Sequence, residues 1–332
     1  MSGKVKIIKR NAALVSVLCL LFTAGILTAL VVSLSKIGTF TVASHVELQR
    51  SMLISEGVAN RVQWLLAADR NLNPNDEPGK IDYTTFEYDR FMADGVIHTL
   101  DYYGEKIQVQ ICDAVNNWDM SASSYPEVFS KYSSQEYAGE DVIDLCEQLS
   151  QRLGDYLDSD DNIQEYGMES SDYEDLLQKP LPRNKAMQYR EELLYIQDFT
   201  RLFPLDENGR ISIARLIPPA NTSSLSGTPS LYSSDKKVIE LSCDLAEDEL
   251  ENVMDALDKW KKEKIMLSET LDEELLNKLS VLSGKESGAY TVYISAPEEE
   301  KRPFRKLIFS YAGFEVSGPA DKIVKYLEWN FL

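Results

Sequence analysis

The chain is short of the residues that most enzymes and nucleic-acid binders rely on. It has only two histidines, His45 and His98, and neither neighbours a serine or cysteine in a recognisable nucleophile context. Acid–base or nucleophilic catalysis therefore finds little support. Of four cysteines, Cys19 lies in a long apolar run, leaving Cys112, Cys146 and Cys243 outside it. Three is odd for an oxidising compartment, at most one disulfide can form among them, and their wide spacing carries no zinc signature. No glycine-rich strand-to-helix turn is present, so there is no phosphate cradle, and Gly284 to Gly288 reads as a short acidic linker. Positive charge is scarce as well: 34 Lys and Arg stand against 54 Asp and Glu, a formal net charge of -20. Such a surface repels nucleic acid and anionic lipid.

What the chain does have is one charge-free apolar run from Ala12 to Leu34, directly behind Lys4, Lys6, Lys9 and Arg10. A helix of more than about 20 such residues spans a bilayer's hydrocarbon core. The basic head is expected in the cytoplasm and everything after Lys36 on the far side of the membrane, as in a single-pass protein. A cleaved secretory signal is the competing reading. The run is longer than the apolar core of a usual signal, and Val42, Ala43 and Ser44 form only a weak cleavage-like site. From Ser35 to Ala68 no proline interrupts the pattern, and apolar residues continue at Ile37, Phe40, Val46, Leu53, Val58, Val62, Leu65 and Leu66. One long helix, half in lipid and half packed on a soluble domain, accounts for this, with a breaker cluster at Asn71 to Gly79.

Beyond that loop Ile107, Val109 and Ile111 alternate with Gln108, Gln110 and Cys112, the period of a half-buried strand. A tyrosine-rich passage follows, Tyr125 to Tyr137, suited to subunit contacts or to ordinary loop packing. Helical periodicity returns in pieces: Val142 to Leu153, Tyr189 to Phe203, Ala246 to Trp260 and Leu271 to Leu282. Strand patterns close the chain, with Tyr290, Val292 and Ile294 alternating, then Phe304 to Val316 about a turn at Gly313, and a short strand or helix over Asp321 to Leu332. The fold class is α+β: a long N-terminal helix and a small antiparallel sheet interrupted by a large all-helical insertion. The expected segments are 1–11 as a cytoplasmic leader, 12–34 as the membrane helix and 35–70 as its continuation. The sheet domain takes 71–139 and 286–332, and the inserted helical domain 140–285.

The strongest local constellation is the acidic loop Asp158 to Glu169. Counted as a calcium loop, Asp158, Asp160 and Asn162 take positions one, three and five, Gln164 and Tyr166 seven and nine, and Glu169 the twelfth. Oxygen ligands so spaced can wrap a hard cation. Ile163 stands where an EF-hand requires glycine, so the loop is a relative of that motif at most, and a solvated loop with helix-capping aspartates is the plainer reading.

A resemblance emerges from the order of several landmarks. Lys9-Arg10-Asn11-Ala12-Ala13-Leu14-Val15 is similar to a basic leader followed by an apolar helix. Tyr156-Leu157-Asp158-Ser159-Asp160-Asp161, Gly167-Met168-Glu169, Tyr173, Pro182-Arg183-Asn184 and Glu192-Leu193-Leu194 follow, with Pro219-Ala220-Asn221-Thr222 after them. Together they resemble the K-type minor pseudopilins of the bacterial type II secretion system. The resemblance implies a pilin-like, non-catalytic subunit at the tip of the secretion pseudopilus, working with other minor pseudopilins in protein export. It also implies calcium and cutting by the prepilin peptidase between Asn11 and Ala12, although the family's usual glycine is here Asn11. The fifth residue of the mature helix would be Ser16, where shaft subunits carry a glutamate. A buried charge in lipid needs a partner, and a subunit with none beyond it needs no such charge. The stretch Glu191 to Phe203, with Asp198 at a turn, resembles the family's helix-hairpin-helix, read as scaffold because the acidic charge opposes nucleic acid. The contrasting alternative is a signal-anchored periplasmic binding or enzymatic domain acting alone.

Overall fold

A computed structural model describes residues 2–74, 76–81, 83–121, 124–134, 139–176, 178, 181–206, 208–217, 225, 227–297, 304–312 and 325–332, with backbone alone over 2–14 and at 84. In chain order its elements are α1 (Ser2–Leu72), β1 (Ile97–Tyr102), β2 (Glu105–Asp113), α2 (Tyr125–Ser133), α3 (Glu140–Leu157) and α4 (Ser170–Asp175). A 3-10 turn, Arg190–Tyr195, precedes α5 (Phe199–Leu202), α6 (Lys236–Cys243), α7 (Glu247–Glu263), α8 (Leu267–Thr270) and α9 (Glu273–Leu279). The chain closes with β3 (Ala289–Ser295), β4 (Leu307–Ala312) and β5 (Lys325–Phe331).

The 71 residues of α1 form one unbroken helix, roughly 100 Å long at 1.5 Å per residue. Its apolar half from Val15 to Val46 is exposed throughout, and its most apolar stretch has a mean hydropathy of 2.6, compatible with a single-pass anchor. The lower half is amphipathic in a different sense. Ile54, Val58, Val62 and Leu66, four residues apart, are buried with Ala59 against Ile107, Val109, Ile111, Val292, Ile294 and Phe309 of the sheet. Full burial of each large aliphatic side chain stabilises by about 2 kcal/mol, so this face holds the helix down. Gly57 permits the contact with the first hairpin, since a Cβ there would stand 2.1 Å from the Tyr102 hydroxyl.

The sheet is antiparallel throughout in the order β1-β2-β3-β4-β5. Neighbours in space are neighbours in sequence, yet nearly all the helices lie between β2 and β3. The fold is thus the expected α+β arrangement, a long N-terminal helix and a small antiparallel sheet with a helical insertion. The neck of the insertion is pinned by polar contacts: Asp113, at the end of β2, accepts from the Ser287 backbone N–H and hydroxyl at 2.6 Å each. The fully buried Glu286 carboxylate meets Arg70 of α1 at 2.9 Å.

Several elements differ from the sequence reading. The helical packing begins before residue 140, because Trp118, Met120, Val128, Phe129 and Tyr132 share one core with Leu145, Leu149 and Leu153 of α3. Tyr189 to Phe203 is interrupted at Asp198, where the helix-hairpin-helix resemblance put a turn; its φ of 64° is left-handed and leaves a 3-10 turn and the single turn α5. Leu271 to Leu282 shortens to α9, capped by the Asp272 side chain accepting from the Leu275 N–H. The closing element is a strand. Tyr137, Pro219 to Thr222, Gly313 and Val316 lie outside the described residues.

Candidate cation site in the inserted domain

Helix α3 has acidic residues in its first turn, which suits a helix N-terminus, and places Leu145, Leu149, Leu153 and Tyr156 on one buried stripe. At its C-terminal end Asp155 is fully buried, and its carboxylate accepts from the Gln164 backbone N–H at 3.1 Å and side-chain amide at 2.8 Å. This folds the acidic loop back on the helix. Gly167 allows it: a Cβ there would fall 1.7 Å from Asp155 Oδ2. Tyr166 is held from both sides, its N–H donating to Gln151 and its carbonyl accepting from Arg152. Beyond the loop, Glu169 is the cap of α4, with its N–H donating to Asp172 Oδ2 at 3.0 Å.

The loop returns Glu169 towards the aspartates, but the four sequence candidates behave differently. Glu169 is 3% exposed, and both its carboxylate oxygens are buried without a hydrogen-bond partner. Asp158 Oδ1 is in the same condition. Asp160 and Asn162 are exposed, and Asn162 donates to Asp160 Oδ1 through both its backbone N–H and its side chain. The sequence reading missed two contributors. Asn184 Oδ1 is a further buried oxygen without a partner, while its Nδ2 donates to the Asp160 carbonyl and Asp161. Asp155 adds a third buried carboxylate. Asn184 could have been found as a landmark of the Pro182-Arg183-Asn184 segment, but 15 positions of chain separate it from Glu169 and no periodicity links them.

Negative charge accumulates here. Burial, then the neighbouring Asp155 and Asp158, pushes the Glu169 carboxyl up to about 7. Burial and Asp160 raise Asp158 as well. An isolated ionised carboxylate in such a place costs several kcal/mol, so it must be protonated or neutralised. Among the described residues no three His, Cys, Asp or Glu side chains converge at coordinating separations. The donor set of carboxylate and amide oxygens nevertheless suits a hard cation over a soft one.

A second network surrounds the site and is structural. Glu192 Oε1 accepts from the Gln188 and Tyr189 N–H groups at 2.7 and 3.0 Å and from Arg183, and its Oε2 from the Tyr156 hydroxyl at 3.0 Å. The Glu192 landmark is therefore a capping hub.

The histidines are not brought to any reactive partner. His98 lies on β1 stacked on Phe91 at 4.9 Å, and burial lowers its pKa; His45 is exposed on α1. All four cysteines are free, and burial pushes Cys112 up to about 12 and Cys146 and Cys243 up to about 11. Ser16 is exposed on α1, whereas Asn11 and Ala12 lie on its backbone-only stretch.

The family described as Type II secretion system (T2SS), protein K matches residues 141–203, the span from α3 through the acidic loop to α5. Five solved chains match the structure. One belongs to the crystal structure of the GspK-GspI-GspJ complex from the enterotoxigenic Escherichia coli Type 2 Secretion System. It is 14% identical, with a TM-score of 0.49 over 88% of this chain and 99% of that one. No curated protein matches the chain.

Proposed function

We infer that this chain is a K-type minor pseudopilin of a type II secretion system, sitting at the tip of the pseudopilus and supporting protein export from there. The observation that carries the reading is the protein K match to residues 141–203, set between β2 and β3 of a pilin-like helix and sheet. Steric argument favours the tip. Pilin-like subunits assemble by packing their long helices side by side, and a helical domain hung from one side of the sheet would collide with a subunit stacked above it. Only the last position leaves room. Ser16 agrees with that place, having no charge to pair with a subunit beyond it.

Its partners are other minor pseudopilins. α1 offers them a surface: Val42, Val46, Leu53 and Trp64 are exposed on the helix face opposite the one buried on the sheet, with Trp64 73% exposed. In this reading the basic head is cytoplasmic, the C-terminal part periplasmic, and the prepilin peptidase cuts between Asn11 and Ala12 at the inner membrane before α1 leaves lipid for the filament. The role is structural, with no catalytic step assigned to any residue.

The reading includes calcium in the acidic loop. Asp158, Glu169 and the Asn184 side-chain oxygen would hold it, because these are the buried oxygens left without partners. The ion would supply charge neutralisation and tie the loop to α3 and α4, fixing the shape of the inserted domain. Calorimetry of the full chain in detergent should give saturable heat with calcium. No heat at millimolar calcium would remove the ion and leave the pseudopilin reading intact.

Deleting the chain from a secreting cell should trap exported proteins in the periplasm, and restoring it should release them. Undisturbed export in its absence would overturn the assignment.

A further inference from the structure

The sheet has a second face, turned away from α1. On it Gln110, Tyr293 and Ile308 form one row across β2, β3 and β4, because Gln110 pairs with Tyr293 and Tyr293 with Ile308. The insertion folds back over this row and leaves a part-open cavity of about 420 Å³. Small-ligand sites fall in the range of about 300–1,000 Å³.

The cavity lining brings Arg190, Arg210 and Lys306 together with Asp206 and Asp235. The Arg190 side chain is 12% exposed. Its terminal nitrogens donate to the Ala214 carbonyl at 3.4 Å and to Glu191 at 3.3 Å, but its Nε is buried without a partner. Arg210, 10% exposed, meets Glu328 at 2.5 Å. Tyr293 and Ser212 add hydroxyl groups to the same wall. A buried guanidinium N–H with nothing to donate to costs free energy unless a ligand completes it.

We propose that this cavity binds a monoanionic carboxylate, received by Arg190 and supported by the Tyr293 hydroxyl. The guanidinium fork matches a carboxylate's planar pair of oxygens. Glu328 and Glu191 beside the arginines, with Asp206 and Asp235 in the lining, disfavour a dianion such as phosphate more than a single negative charge. The carboxylate could come from a small free acid or from the C-terminus of a polypeptide, and the two sources share this chemistry.

The test uses the full chain in detergent with calcium held constant, titrated by calorimetry with propionate, with N-acetyl-Gly-Ala, and with the amide of that dipeptide. A carboxylate should bind saturably and the amide should not. Propionate binding as well as the dipeptide would assign a small acid; a dipeptide about tenfold tighter would assign a peptide end. Arg190→Gln should weaken binding about tenfold or more, with circular dichroism unchanged, while Glu328→Gln should strengthen it by releasing Arg210. Should Arg190→Gln fail to fold, Tyr293→Phe and Glu328→Gln carry the comparison, one weakening and the other strengthening. The proposal is overturned if neither carboxylate binds, if the amide binds equally, or if the variants leave affinity unchanged.

Discussion

Gly167 lies so close to Asp155 that a Cβ on it would stand 1.7 Å from the carboxylate oxygen. The fully buried Asp155 has nowhere to go, because both its oxygens hold Gln164. Gly167→Ala should therefore force the acidic loop off α3. Overpacking of this kind costs about 1–3 kcal/mol, and calcium affinity should fall with it. Denaturant unfolding with and without calcium measures both effects in one variant.

Glu169 and Glu286 both have carboxyls pushed up to about 7 from an ordinary value of 4.5. Burial is the first cause in each case, and Arg70 partly offsets it at Glu286. A carboxyl raised on folding holds its proton in the native chain where the unfolded chain has lost it. Its stabilisation is full below the unfolded value and is lost as pH rises through the folded one. Calcium-free protein should thus lose thermal stability between about pH 5 and about pH 8. Calcium should restore part of the loss by replacing the proton on Glu169. Glu169→Gln should remove that part and leave the share of Glu286.

The end of α1 depends on a buried ion pair. Arg90 donates to Asp69 through Nε at 2.8 Å and through a terminal nitrogen at 2.9 Å, with both residues at most 5% exposed. Arg90→Met strands the carboxylate and should cost about 3–5 kcal/mol. Asp69→Leu with Arg90→Met removes both charges and should recover much of that loss. Thermal melts of the two variants make the comparison.

Leu53 and Trp64 are 69% and 73% exposed on α1. Leu53→Glu with Trp64→Glu should change the stability of the isolated chain by no more than about 0.5 kcal/mol for each site. It should nevertheless stop recovery of minor pseudopilins with the chain from membranes. Loss of stability without loss of partners would contradict the role given to this face.

Legibility in the sequence followed the strength of local patterns. β2 was readable because Ile107, Val109 and Ile111 all turn to the core. β1 was not: it is an edge strand with Leu100 its only buried residue, so no alternation marks it. α2 was hidden by its serine and tyrosine content, and its buried Val128, Phe129 and Tyr132 matter only against α3. The turn at Asp198 was legible from the resemblance, and Arg152 of α3 holds it by reaching both the Asp198 side chain and the Gln197 carbonyl. In the cation site Asp158 and Glu169 were legible from loop spacing. Asp155 falls between the helical stretch read to Leu153 and the loop read from Asp158, and Asn184 arrives from a segment that only the folded chain brings near.

The central claim is assembly at a filament tip, and native mass spectrometry of the tagged chain isolated from secreting membranes tests it most directly. The account predicts one copy of this chain with smaller minor pseudopilins, and a chain mass reduced by residues 1–11. Recovery of the chain alone, or in several copies, with Met1 retained would contradict it.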